Sequence, residues 1–487
     1  MPPPGARRLS LVEPWSGNNC YQTNQQNRPP PTPWSGDATE FFKDYRNLHD
    51  INRFMAQLAQ ENPRFVVLRE IGRSWEGRPL QVLEITDHQS GNVAAAGRKY
   101  DKPCIFLEGG IHAREWIAPA AVLYIAGALV RESSSAEVQK YLQDFVFTLL
   151  IPVNPDGYVY SWEVNRMWRK TRSNRTDYLC RGHVAGVDAN RNWGLTFGVT
   201  NDAYYDQQLH SPCTEVFIGP SAFSEPETQA ASGYLQKRQQ GSFHAAKDGK
   251  PGPGHIAAFI DYHSYAQAML PPWAVTGKTP KNPDGAYQTA MTSAVNAAFQ
   301  QSSGRTFRAG ADVFPPDPGT GPDWAFGHLG IRATMTVELE GRSFCLPSTQ
   351  IEFVGSEQWA GVKALAGFLT VQGSQPSSSF GIFADQAANR ASTTITELLG
   401  SDLHPKPPAP GSSTSFSQLA ALDAQGGQGG QEASPGGGLP SFVVVLLILG
   451  AIMLIAPVAI FWSGREKRKP YVRDGSQIGE TAHIELE

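Results

Sequence analysis

Six short strand-like runs, several of them nearly continuous and apolar, constrain the fold of this chain more than any other feature of its sequence. Such runs are typical of strands that are buried on both faces of a sheet. Longer segments with a helical pattern lie between them. The alternation predicts an α/β domain in which helices flank a mixed, mainly parallel β-sheet. The predicted strands are 65–70, 80–86, 104–108, 145–151, 256–262 and 333–339, and the predicted helices are 48–60, 116–131, 225–239, 288–301 and 348–369.

The composition changes at both ends of this region. Residues 1–37 are rich in Pro and Asn, and residues 373–440 are rich in Ser, Gly, Gln and Ala. Segments of this kind bury too little apolar surface to offset the entropy lost on ordering. We therefore predict an extended N-terminal segment, a single large domain over 38–372 and a flexible stalk.

An uncharged apolar run follows the stalk at residues 441–462. As a helix it would be about 33 Å long, which is enough to cross a hydrocarbon core of about 30 Å. The basic residues of REKRK follow it directly, so the positive-inside rule places the tail, 463–487, in the cytosol. The sequence therefore predicts a C-terminal transmembrane helix, with the large domain extracellular or lumenal.

The N-terminus leaves two interpretations open, because it shows no apolar run typical of a secretory signal. Either a signal lies upstream of this sequence, or the C-terminal helix is a tail anchor and the domain is cytosolic. The formal net charge of -4 gives no basic face, so we expect no nucleic-acid partner. Five cysteines are too few for a disulfide-built scaffold, and we expect a monomer whose core is held by burial.

Side chains that bind metals follow the predicted strands. The run 104–108 leads into GGIHAREW, which carries His112 and Glu115, and the run 256–262 ends at His263. Ligands of α/β sheets gather at the carboxyl ends of strands, so these side chains are expected to lie close together. A His-x-x-Glu pair and a distant histidine form a zinc site with one open position. Either feature alone is common, and a lone histidine at a strand end is more often a core residue.

Seven motifs together resemble the zinc carboxypeptidases of the carboxypeptidase A/B family. They occur in the family's order and are IGRSWEGRPL, GGIHAREWI, NPDGY, NRMWRKTRS, GVDANRNW, DYHSY and VELEG. The resemblance covers roughly residues 40–372. The resemblance implies one zinc ion bound by His112, Glu115 and His263. It also implies that Asp188 orients the first zinc histidine. Glu338, a carboxylate on an apolar run where an unused charge is costly to bury, matches the general base.

The resemblance further implies hydrolysis of the last peptide bond of peptides and proteins, with release of single amino acids. Water activated by zinc would give its proton to Glu338 and attack the carbonyl. Arg169 matches the arginine that stabilises the oxyanion. Asn190 and Arg191 match the residues that hold the terminal carboxylate, for which the planar guanidinium offers two parallel donors. Peptide C-termini and the membrane are the expected partners.

Substrate preference depends on a loop that departs from the family. No tyrosine precedes its Asp-Trp pair, and Phe314 is the nearest candidate to cover the substrate. The two positions that select the terminal side chain match Pro322 and Ala274, which are neutral. We therefore expect apolar or aromatic C-terminal residues to be preferred. Asp312 and Asp317 lie in the same loop, and an inward-reaching carboxylate would instead favour Lys or Arg.

The cysteines bear on the location of the domain. The resemblance implies a disulfide between Cys180 and Cys213, whereas two unpaired thiols would suit a cytosolic domain. Asn174 begins a sequon and is a glycosylation candidate. The disulfide, the sequon and the positive charge after 441–462 together favour the lumenal or extracellular side, and hence an upstream signal. The unassigned cysteines are Cys20, Cys104 and Cys345.

Two other functions stay open on the sequence. A catalytically inactive relative would bind peptides without cutting them, although it would be free to lose the ligands, Glu338 and Arg169, all of which are present. A zinc amidohydrolase of related fold would act on acylated amino acids, although the RKTR and ANRNW segments favour peptides.

Overall fold

The computed structural model describes residues 35–89, 102–174, 179–180, 183–243 and 254–372. The predicted stalk, transmembrane helix and cytosolic tail lie outside these residues, as does most of the predicted N-terminal extension. Among the described residues, no helix combines the length and hydropathy needed to span a membrane.

The centre of the domain is an eight-stranded mixed β-sheet. Its order is β1-β2-β4-β3-β7-β10-β8-β9, and β5 and β6 form a separate two-stranded ribbon. The strands β4, β3, β7 and β10 are parallel neighbours in the centre, as are β8 and β9 at one edge, whereas β1–β2, β2–β4 and β8–β10 pair antiparallel. The strands are β1 Val66–Arg73, β2 Pro79–Ile85, β3 Cys104–Gly109, β4 Val146–Leu150, β5 Leu179–Cys180, β6 His183–Val184, β7 Ile256–Ser264, β8 Ala268–Leu270, β9 Arg308–Ala309 and β10 Ala333–Leu339.

Helices cover both faces of the central strands. Along β3, Ile105 and Leu107 belong to one apolar cluster, while Cys104 and Phe106 belong to another on the opposite face. Successive side chains of a strand point to opposite faces, so a strand buried on both faces reads as a continuous apolar run. The helices are α1 Ala38–Phe41, α2 Leu48–Glu61, α3 Ile117–Arg131, α4 Ala136–Asp144, α5 Pro155–Glu163, α6 Ala203–Leu209, α7 Pro226–Phe243, α8 Asp284–Ser303, α9 Gly321–Leu329 and α10 Ile351–Gln372.

All six predicted strands and all five predicted helices are present, and only their ends differ. The strand predicted at 256–262 continues to Ser264, so His263 lies within it. The helix predicted from residue 348 begins with a 3-10 turn, Ser348–Gln350, that follows Pro347, and the α-helix starts at Ile351. The short elements β5, β6, β8, β9, α1, α4, α5, α6 and α9 were not predicted, because few residues are available in them to show a period.

Candidate active site

The candidate site lies at the edge of the sheet where β3, β7 and β10 end. His112 and Glu115 follow β3 in the turn that leads into α3, and His263 lies near the end of β7. Glu338 lies near the end of β10, directly opposite His263 in the register of these parallel neighbours. The chemistry-bearing residues therefore converge where the carboxyl ends of parallel strands meet.

The turn after β3 depends on a glycine and on a buried asparagine. Gly110 has a φ of +80°, and a Cβ there would lie 2.9 Å from Cβ of Pro152. Asn154 donates from Nδ2 to the carbonyl oxygens of Ile111 at 3.2 Å and Lys170 at 2.9 Å. These bonds join the GGIHAREW, NPDGY and MWRK segments, which explains why three distant motifs serve one site.

His112, Glu115 and His263 form a buried cluster of potential metal ligands, with one atom of each within 4.8 Å of the others. Nδ1 of His112 lies 2.9 Å from Oε1 of Glu115, and Nδ1 of His263 lies 3.0 Å from Oε2. Each side chain is at most 3% exposed. Two imidazole nitrogens and a carboxylate are a donor set of catalytic zinc, so the residues present fit a zinc ion.

The Nε2 atom of each imidazole contacts an aspartate. Nε2 of His112 lies 3.0 Å from Oδ1 of Asp188, and Nε2 of His263 lies 2.8 Å from Oδ2 of Asp261. Because Nε2 of each ring bonds to an aspartate, Nδ1 is the nitrogen that faces Glu115 and that a metal would bind. Asp188 therefore contacts the first histidine of the cluster.

The electrostatics of the cluster favour a cation. Burial raises the pKa of Glu115, but the charges of His112 and His263 lower it below its ordinary value. Burial lowers the pKa of His263, but the charges of Asp261 and Glu115 raise it well above its ordinary value. Carboxylates that favour a protonated imidazole also favour a metal cation in the same place.

The pKa of Glu338 lies near neutral pH. Its side chain is half-buried beside His263. Burial raises the pKa of Glu338 to about 7; the charges of Glu115 and Asp261 act in the same direction, and those of His263 and Arg169 oppose them. A carboxylate that titrates near neutral pH both accepts and returns a proton readily, as a general base and acid must.

Arg169 lies beside the cluster and is fixed by Asp188. Nε and Nη2 of Arg169 donate to Oδ2 of Asp188 at 3.0 and 2.9 Å. Nη1 lies 3.8 Å from Oε1 of Glu115. Burial raises the pKa of Asp188, but Arg169, Arg191 and His112 hold it well below its ordinary value, so this carboxylate is ionised.

Asn190 and Arg191 lie in a 3-10 turn next to the cluster. The side-chain amide of Asn190 is engaged, since Nδ2 donates to Oδ2 of Asp261 at 3.2 Å and Oδ1 accepts from the backbone of Gly321 at 3.1 Å. Nη2 of Arg191 forms an ion pair with Asp317. The predicted carboxylate-binding guanidinium therefore already holds a carboxylate from the chain itself.

The predicted specificity residues Pro322 and Ala274 are connected through Asp323. Pro322 is buried in the first turn of α9, and the half-buried Ala274 donates its backbone N–H to Oδ1 of Asp323 at 2.8 Å. The backbone N–H of Asp317 donates to the carbonyl oxygen of Ala274 at 2.9 Å. Phe314 is half-buried in the loop between β9 and α9. Asp317 thus contacts both Ala274 and Arg191.

The cysteines are partly assigned by the structure. Cys180 and Cys213 form a disulfide, which confirms that pairing. Cys345 is also disulfide-bonded, whereas Cys104 is a buried free thiol on β3. Cys20 lies outside the described residues. The glycosylation candidate Asn174 is exposed.

Two residues of the site, Asp261 and Tyr205, were not predicted from the sequence. Asp261 lies two residues before His263 in DYHSY, so the period of a strand places both side chains on one face, and this spacing would have identified it. Tyr205, on α6, accepts from Nε of Arg191 at 3.2 Å and donates to Oδ1 of Asp317 at 2.5 Å. No local pattern marks Tyr205, because only the folded chain brings these groups together.

Comparisons with known proteins agree with this geometry. A family model described as zinc carboxypeptidase matches residues 51–361. Carboxypeptidase B of Astacus astacus is 33% identical over 333 residues, which cover 67% of this chain and 97% of that protein. Zinc carboxypeptidase A 1 of Drosophila melanogaster is 33% identical over 341 residues, with coverages of 68% and 71%.

Solved structures share the fold. Carboxypeptidase A from Helicoverpa armigera matches with a TM-score of 0.57 and 25% identity, over 68% of this chain and 76% of that chain. Bovine thrombin-activatable fibrinolysis inhibitor, solved in complex with tick carboxypeptidase inhibitor, matches with a TM-score of 0.56 and 26% identity, over 68% and 99%.

The mixed sheet and the buried His–Glu–His cluster at its edge define a zinc-dependent hydrolase. The chain belongs to the zinc carboxypeptidase family, and it is a metallocarboxypeptidase of the A/B type that uses one zinc ion to hydrolyse C-terminal peptide bonds.

Proposed function

We propose that the chain releases single, preferably apolar or aromatic, residues from peptide C-termini. His112, Glu115 and His263 bind the zinc ion, and Glu338 is the general base. The observation that carries this proposal is the convergence of the three ligand atoms within 4.8 Å at the strand edge where Glu338 lies opposite His263.

The zinc ion, when bound, polarises the scissile carbonyl and lowers the pKa of water. Glu338 accepts a proton from the attacking water, because its pKa of about 7 leaves much of it ionised at neutral pH. The water oxygen adds to the carbonyl carbon. As the carbon–nitrogen bond breaks, Glu338 returns the proton to the departing amine. One carboxylate thus serves as base and then as acid.

Arg169 stabilises the negative charge that develops on the carbonyl oxygen. Nε and Nη2 of Arg169 both donate hydrogen bonds to Asp188, and these two bonds fix the plane of the guanidinium. Nη1 lies nearest the ligand cluster, and we assign it to the oxyanion. A guanidinium fixed beforehand does not need to reorganise when the charge appears.

Arg191 binds the terminal carboxylate of the substrate. Its ion pair with Asp317 supports this role, since a carboxylate reaches the guanidinium without rearrangement of the 3-10 turn. The substrate carboxylate must therefore displace Asp317. Asn190 joins the clamp only when its bonds to Asp261 and Gly321 change.

An apolar preference follows from the surroundings of Arg191. Pro322 and Ala274 are neutral, and the carboxylate of Asp312 is exposed. The test compares peptides that differ only in their last residue, with and without a chelator. We expect chelator-sensitive release that is faster from Phe or Leu than from Arg, and faster release from Arg would contradict the preference.

The same assay separates the alternative functions. Peptide binding without release from any peptide would indicate an inactive relative. Hydrolysis of acylated amino acids without hydrolysis of peptides would indicate an amidohydrolase. Restoration of peptide release by added Zn²⁺ after chelation excludes both.

The catalytic domain is proposed to lie on the extracellular or lumenal side of a membrane, tethered through residues 441–462. The disulfide between Cys180 and Cys213 supports an oxidising compartment. The tether rests on the sequence, since 441–462 lies outside the described residues. External protease should remove the domain from intact cells or vesicles, while alkaline extraction should leave the remaining chain in the membrane. A chain protected from protease would contradict the orientation.

A further inference from the structure

We propose that Asp261 is a positioning residue that holds the imidazole of His263 with Nδ1 available to zinc. This inference rests on the proposed role of His263 as a ligand, and it adds a residue that acts on the metal site through that imidazole.

The geometry on β7 supports this role. Asp261 and His263 are two residues apart on one strand, so their side chains lie on the same face of the sheet. Oδ2 of Asp261 is 2.8 Å from Nε2 of His263, and both side chains are buried. A neutral imidazole carries a single N–H, so a hydrogen bond from Nε2 to Asp261 leaves Nδ1 unprotonated. Nδ1 is the atom that faces Glu115.

The arrangement repeats the one around the other histidine. Asp188 accepts from Nε2 of His112 at 3.0 Å, as Asp261 does from His263. Asn190 connects the two carboxylates, because its backbone N–H donates to Oδ1 of Asp188 at 3.0 Å and its side-chain Nδ2 donates to Oδ2 of Asp261 at 3.2 Å. The same Nδ2 lies 3.0 Å from Nε2 of His263, so both imidazoles and both aspartates belong to one connected network.

The environment of Asp261 argues against a purely structural role. Its side chain is fully buried, and within the described part of the chain Oδ1 has no hydrogen-bond partner. Glu108, which lies directly opposite it on β3, is also buried, and neither of its carboxylate oxygens has a hydrogen-bond partner there. Burying carboxylates in this way is costly for the fold. A fold retains such a costly carboxylate where it serves a function, and here that function is to orient a metal-binding imidazole.

The test measures the zinc dissociation constant of the full chain by competition with a chromogenic chelator, with Zn²⁺ as the only ligand. Asp261→Asn should weaken zinc binding about 10–100-fold, the usual effect of removing such a partner. The matched control is Asp284→Asn. Asp284 is an equally buried aspartate that is paired with Arg332 and does not contact the cluster, so its loss should lower thermal stability without changing zinc affinity.

The outcomes are distinguishable from failure of the proposed function. If His263→Ala abolishes tight zinc binding while Asp261→Asn binds zinc as the wild type does, the inference is wrong and the ligand assignment stands. If His263→Ala also binds zinc normally, the ligand assignment itself is wrong.

A second measurement, on the wild-type chain, does not depend on whether an Asp261 variant folds. In wild-type chain with ¹⁵N-labelled histidine, NMR should show His263 protonated on Nε2 and unprotonated on Nδ1 when zinc is bound, with the signal identified by its loss in His263→Ala. A hydrogen on Nδ1 would overturn the inference.

Discussion

Replacement of Glu338 by Gln tests the proposed base with little change in shape. The carboxylate has a pKa of about 7, so roughly half of it is ionised at pH 7 and roughly a tenth at pH 6. Gln cannot accept the proton of water, and loss of a positioned base costs about 10²–10⁴-fold in rate, or about 2.7–5.4 kcal/mol of transition-state stabilisation. We therefore expect kcat to fall by that factor while zinc content is unchanged.

The assay follows release of C-terminal Phe from a short peptide between pH 5 and 9. Because the ionised form is the active base, wild-type kcat/KM should rise with pH up to about 7 and then level off, and Glu338→Gln should lack this rise. Glu340→Gln is the control, since Glu340 lies two residues further on and pairs with Arg305. Activity of Glu338→Gln within tenfold of wild type, or loss of its zinc, would refute the assigned role.

Three further predictions concern the substrate clamp and the fold. Asp317→Asn should lower KM for peptides with a free carboxylate several-fold, because the substrate no longer competes with an ion pair on Arg191; a higher KM would contradict this. Gly319→Ala should impair both folding yield and KM, since Gly319 has a φ of +71° and a Cβ there would lie 2.2 Å from the carbonyl oxygen of Arg191; unchanged KM and melting temperature would count against it. Cys213→Ser should lower the free energy of unfolding by about 2–4 kcal/mol, measured by denaturant titration, and a change below 1 kcal/mol would argue that the bond to Cys180 adds little.

The central sheet was predictable because its strands are buried on both faces. The strand predicted at 333–339 is buried over most of its length, and both of its ends were placed correctly. Short elements such as β9, which is exposed and has two residues, carry no period and were missed. Helix α9 begins at Gly321–Pro322, where Thr320 caps it, and its nine residues are too few to show a clear stripe.

Much of the site was predictable from motifs, because each ligand lies beside the end of a strand and the motif order identifies the family. The partner of Arg191 was not. The position of Asp317 in the loop allowed the prediction that its carboxylate reaches inward. Its pairing with Arg191 and Tyr205 was not predictable, because these residues are more than a hundred positions away in the sequence. Such pairing depends on the path of the loop between β9 and α9, which no local pattern specifies.

Anomalous diffraction at the zinc edge, from crystals of the purified chain, tests the ligand assignment most directly. We expect one peak within about 2.0–2.2 Å of Nδ1 of His112, Nδ1 of His263 and a carboxylate oxygen of Glu115. A peak bound elsewhere, or one that contacts Nε2 of either histidine, would contradict it.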